Sequence, residues 1–236
     1  MNKLIKGTLG LLGLSLILLS CTTAQEEVLP EGTVRVGNQV WMDHNLNEKT
    51  FRNGDAIEVC QDPECWIEAY RNKKPALLYF NFDEDANAQY GALYNVWALL
   101  DERGLAPDAW RVPLQEDIDS LFKDQSIPYF LRSKGSVHDG SGLWKQVSYT
   151  FTAQQDTFGF NAQPVGEVPG YVEALNEVVF NAWGERVSWW TASPLENHPD
   201  VLRFWTLYQG RHGNFHGQMA GARIDAAAGH YVRCLK

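Results

Sequence analysis

From Ser133 to its end the chain is a series of short aromatic and β-branched runs cut by Gly, Ser and Asn, a texture of antiparallel strands rather than a helical bundle. The runs are Trp144, Phe151, Phe158-Gly-Phe160, Val178-Val-Phe180, Trp189-Trp190, Phe204-Trp-Thr-Leu-Tyr208 and Tyr231-Val-Arg-Cys234. Upstream the pattern differs. Val34-Arg-Val36 and Gln39-Val-Trp-Met42 alternate about Gly37-Asn38, which predicts a β-hairpin, and Asn53-Gly-Asp55 predicts a further turn. Leu93, Val96, Trp97 and Leu100 share one helical face, so the spacing predicts a helix over 89–102 with Gly104 as its left-handed cap. A second helix is expected over 114–123. Pro113 precedes it, Glu116 and Asp117 suit its first turn, and Ile118, Leu121 and Phe122 form its apolar stripe. Both stripes read as core. Helices early and strands late define an α+β fold in one domain, without an internal repeat.

The N-terminus says where such a domain resides. Lys3 and Lys6 precede an uncharged stretch from Gly7 to Ser20, shorter than the about 20 apolar residues of a spanning helix. It closes on Leu18-Leu-Ser-Cys21, which resembles the lipobox of bacterial lipoproteins. That resemblance implies cleavage before Cys21 and lipidation of its thiol. Residues 1–20 are then a signal peptide, 21–31 a short acidic tether and 32–236 the folded domain. Each buried lipid methylene contributes about 0.8 kcal/mol, so two or more acyl chains anchor stably. Thr22 after the lipid cysteine gives no inner-membrane retention aspartate, and by analogy the outer membrane is the expected address. The membrane partner is reached through this lipid alone. With a net charge of −9 and no polybasic cluster, nucleic acid is not an expected partner.

Three other cysteines remain: Cys60, Cys65 and Cys234. Export permits a disulfide and leaves one thiol over. Gln-Asp-Pro-Glu between Cys60 and Cys65 is a turn-like spacer that can join them; a bridge from either to Cys234 closes a longer loop. Spacing does not choose between these, but a structural bridge is expected over a reactive thiol.

Several stretches in order resemble the Fibrobacter succinogenes major paralogous domain family. They are Val36-Gly-Asn-Gln-Val-Trp-Met42 with Asn45-Leu-Asn47, Thr50-Phe-Arg-Asn-Gly-Asp55, Tyr90-Gly-Ala-Leu-Tyr-Asn95, Arg103-Gly-Leu-Ala-Pro107 and Trp110-Arg-Val-Pro113. Phe158-Gly-Phe160, Trp189-Trp-Thr-Ala-Ser193 and Val232-Arg-Cys234 follow, so the resemblance spans residues 33–236. It implies a C-type lectin-like fold: two helices, a small sheet joining the termini, and a long-loop region. The chain departs from the pattern at Pro75-Ala-Leu-Leu-Tyr-Phe80, where a cysteine is common. That removes a partner for Cys234 and favours Cys60 or Cys65. Leu114 stands where a capping Ser is usual, at a cost of about 1 kcal/mol, and Phe160-Asn-Ala-Gln-Pro-Val-Gly166 is poor in glycine.

The implied fold suggests calcium-dependent sugar binding, but calcium needs six to eight oxygen ligands. Gln163-Pro164 is followed by Val165, and Trp189-Trp190 by Thr-Ala-Ser, so both halves of the usual site are missing. Asp83-Glu-Asp-Ala-Asn87 lacks the glycine and the bidentate glutamate of a calcium loop and reads as a solvated acidic loop. His212 and His216 lack a third zinc ligand. Hydrolase and phosphate-loop motifs are missing from the sequence. No metal or cofactor is expected.

Surface recognition remains. Trp190, Tyr208 and His212 are the candidate ligand-binding residues, since flat aromatics stack on sugars and form hot spots at protein interfaces. Trp189 and Trp205 are expected inside, and strict alternation turns Trp190 the other way. The chain thus reads as a non-catalytic, lipid-anchored binding module for a glycan or an envelope or host protein. The alternatives are an enzyme of the formylglycine-generating class, using Cys60 and Cys65, or a purely structural envelope component.

Overall fold

The computed structural model describes residues 28–124, 126–145, 156–172, 177–209, 215–223 and 227–236. It is a mixed structure of several sheets and short helices. Strands β1 (Thr33–Val36) and β2 (Gln39–Met42) form the expected hairpin, with Gly37 at φ +59° in the turn. A three-stranded sheet follows, built from β3 (Glu58–Cys60), β4 (Ala76–Leu78) and β5 (Leu93–Tyr94) in that order, with β3 parallel and β5 antiparallel to β4. Helix α1 (Pro63–Arg71) makes the parallel crossover. Its start was written in the sequence: Asp62 accepts the Cys65 N–H at 2.8 Å, and Pro63 sits where a missing N–H costs nothing. Trp66, Ile67 and Ala69 form its buried face.

The helix expected over 89–102 is corrected. After the one-turn α2 (Glu84–Asn87), Leu93 and Tyr94 enter the sheet opposite Leu78 and Leu77. Asn95 then accepts the N–H groups of Ala98 (3.0 Å) and Ala76 (3.1 Å), so α3 (Val96–Leu100) begins only there. Leu93 and Val96 are buried, but Leu100 is half exposed: the apparent stripe straddles a strand and a short helix. Gly104, at φ +78°, serves the following turn instead of capping the helix.

Helix α4 (Gln115–Leu121) is shorter than the expected 114–123 and buries Ile118 and Leu121. Leu114 cannot cap it, yet its own N–H donates to Asp117 at 2.7 Å, and Ser193 Oγ accepts the Gln115 N–H at 3.0 Å. A residue 78 positions away thus supplies part of the cap. Helix α5 (Ile127–Leu131) comes next.

The second half forms a five-stranded sheet of β6 (Val165–Val172), β7 (Glu177–Trp183), β8 (Arg186–Leu195), β9 (His198–Gln209) and β10 (Phe215–Arg223), ordered β10-β9-β8-β6-β7. All pairs are antiparallel except β6 with β8. The C-terminal segment stitches the layers together through bridges Trp41–Leu235, Tyr94–His230, Val168–Gly229 and Trp189–Tyr231. Residues 230–235 are at most 2% exposed, so the ends of the domain meet inside it. Arg233 is satisfied there: Nε (3.1 Å) and Nη2 (2.6 Å) donate to Asn45 Oδ1, Nη1 donates to the Phe160 carbonyl, and burial pulls its pKa down to about 9.

Candidate functional site

Trp190 does not form a binding face. As expected, Trp189 and Trp190 turn to opposite sides of β8, but β8 is an inner strand covered on both faces. Trp189 stacks on Trp205 with centroids 4.1 Å apart. Trp190 is 1% exposed, donates Nε1–H to the Tyr94 carbonyl at 2.8 Å, and lies edge-on to His230 at 4.5 Å. Tyr208 is half buried, with the Arg186 guanidinium 5.9 Å from its ring centre. His212 and Cys21 lie outside the described residues. Of the two described candidates, Trp190 is buried and only Tyr208 is partly exposed.

The sheet face below Trp190 holds a buried polar group that sequence reading missed. Glu167 accepts from Arg186 Nη1 at 2.8 Å and from Ser188 Oγ, and His230 Nδ1 stands 3.7 Å from its Oε2. Glu167, Ser188 and His230 are nearly fully buried. A Ser, His and Glu together invite a nucleophile reading, but such a relay needs serine bonded to imidazole. Here the serine is bonded to the carboxylate instead. Burial between Phe204 and Trp190 pulls the His230 pKa down to about 4.

Cys60 and Cys65 are disulfide-bonded, and Cys234 is a free, buried thiol whose pKa burial raises to about 12. The bridge ties the end of β3 to the first turn of α1 and forms one side of a cleft of about 380 Å³. Val59, Cys60 and Gln61 line it together with Tyr79, Phe82, Asp83, Glu84 and Asp85. That volume falls within the range of small-molecule sites.

The segment opposite the disulfide is strained. Asn81 and Phe82 both adopt left-handed backbone, at φ +56° and +58°. Asn tolerates this, but for a bulky aromatic it is a true outlier, at about 1–2 kcal/mol. Its surroundings enforce it. The Phe82 N–H donates to the Tyr79 carbonyl (2.8 Å), its ring lies edge-on to Phe180 at 5.1 Å, and Asp83 caps α2 by accepting the Ala86 N–H at 3.0 Å. Phe180 also meets Phe80, Phe80 meets Trp183, and Trp183 meets Tyr90, a row of rings beside edge strand β7. Phe82 itself is half buried. Among the described residues no three His, Cys, Asp or Glu side chains gather as a metal-ligand set, and no helix is long and apolar enough to cross a membrane.

Fold and cleft together define a mixed α/β domain whose ends pair internally and which carries an aromatic-walled recess beside a disulfide. The profile of the Fibrobacter succinogenes major domain matches residues 34–236, and the chain belongs to that family. No curated protein and no solved structure matches it.

Proposed function

We propose that this chain is the non-catalytic binding head of an outer-membrane lipoprotein, held by a lipid on Cys21, and that its cleft takes a glycan without calcium. The strained Phe82 carries this reading. Sparsely populated backbone persists where its surroundings over-determine it, and such residues cluster at ligand sites. Here the strain places an aromatic ring at a cleft also lined by Gln61 and carboxylates, the mixture that stacks on sugar rings and accepts from their hydroxyls. The same reading takes the fold as C-type lectin-like, supported by the internal pairing of the chain ends. A non-catalytic role is consistent with the thiols and with Ser188: two cysteines are bridged, burial of Cys234 disfavours its thiolate, and Ser188 is held by Glu167.

A glycan array probed with the full chain in detergent tests this, with calcium and with EDTA. The expected result is a hit indifferent to EDTA and lost in Phe82→Ala. An array without hits, or a hit that Phe82→Ala leaves intact, overturns it.

A further inference from the structure

Lys49 sits on two residues of the cleft wall. Its ammonium lies 5.7 Å from the centre of the Tyr79 ring and pairs with Glu84. Both partners line the cleft. The Tyr79 ring is 2% exposed and its hydroxyl donates to Asn47 at 2.9 Å, so the ring is fixed in place beneath the ammonium. An aromatic face with a carboxylate beside it is how proteins recognise organic cations. Lys49 is nevertheless loosely held: its side chain is 46% exposed and that of Glu84 36%, and solvent-screened pairs of this kind contribute little. Its long aliphatic stem can swing the charge into water.

We infer that the cleft selects a glycan bearing a free primary amine, an amino sugar, whose ammonium replaces that of Lys49 on Glu84 and Tyr79. The inference rests on the glycan reading of the cleft and names the ligand's charge. Lys49 then acts as an internal competitor for that carboxylate. Uncharged sugars gain nothing at Glu84, because they offer it no compensating charge. Entry of the ligand exchanges one ammonium for another at the same carboxylate, so the charge beside Glu84 is unchanged. The ligand adds a sugar ring, which Lys49 lacks, to stack on Phe82.

The test is calorimetric titration of the full chain in detergent with a β-1,4-linked glucosamine tetramer and, separately, its N-acetylated counterpart. The free-amine tetramer is expected to bind at least about tenfold more tightly. Lys49→Met is expected to tighten amine binding about fivefold, and Glu84→Gln to weaken it about tenfold or more. Unchanged thermal midpoints establish that both variants are folded. Equal binding of the two tetramers, lost in Phe82→Ala, overturns the amine selectivity while leaving the glycan reading standing. Weaker amine binding by Lys49→Met makes Lys49 a ligand contact and overturns the competitor role. Failure of both tetramers, together with a blank glycan array, overturns both readings.

Discussion

The indole of Trp189 lies on that of Trp205 at 4.1 Å and 23° between planes, and this stacked pair is the seam between β8 and β9. Both rings are fully buried; Trp41 packs edge-on against Trp205, and Phe160 lies tilted against it. Trp190, on the opposite face, is as deeply buried. Removing a buried indole forfeits its transfer energy and leaves a cavity, so Trp190→Ala and Trp205→Ala are each expected to lower stability by about 3–5 kcal/mol. Urea denaturation measures this. A Trp190 variant of unchanged stability would contradict the burial.

His230 makes the domain sensitive to acid. Its folded pKa, about 4, lies below the unfolded value near 6.5, so the unfolded chain binds the extra proton between those values. The contribution of a neutral His230 is fully present above about pH 6.5 and is lost as pH falls toward 4. Between pH 7 and 5 it amounts to about 2 kcal/mol. Glu167 and Arg186 face the ring from β6 and β8, with Trp190 and Phe204 supplying the rest of its cage. Stability of His230→Phe should fall less over that range by this amount, whatever the change at pH 7. Parallel pH profiles would contradict the account.

The Cys60–Cys65 bridge closes a short loop, five residues in sequence separation. The chain-entropy relation gives about 2 kcal/mol for such a loop, and the double replacement Cys60→Ser, Cys65→Ser should cost that much in a denaturant titration. Cys234 should resist alkylation in the native protein and react once it is unfolded. Rapid native alkylation at Cys234 would contradict its burial.

Cys21→Ser should move the protein from the membrane pellet to the soluble fraction, since one lost attachment removes all acyl chains together. Retention in the pellet would contradict lipid anchoring at this residue.

The parts of the fold legible in the sequence were those with local determinants. Gly37-Asn38 wrote the first hairpin, and alternation sorted Trp189 from Trp190. Long-range pairing overruled local period at Leu93 and Tyr94, which answer to β4 and not to the helical spacing of their neighbours. Helix α1 carried clear start signals in Asp62 and Pro63, hidden when those residues were read only as a spacer between cysteines. Trp190 looked available because alternation says which way a side chain points but not whether that face is covered. The cleft was illegible for a further reason. A left-handed phenylalanine leaves no signature in sequence: Asn81 beside it suits that backbone, but nothing in Phe82 itself does.

Position 82 gives the most direct test of the central claim. Glycine relieves left-handed strain that alanine retains, so Phe82→Gly should be more stable than Phe82→Ala by about 1 kcal/mol, the reverse of their usual order. Both variants should lose glycan binding, because the ring and not the backbone meets the ligand. Stability and binding measured side by side on the two variants decide it. Loss of binding with glycine the more stable residue is the predicted result; a Phe82→Gly protein that binds its glycan as the wild type does would contradict the account.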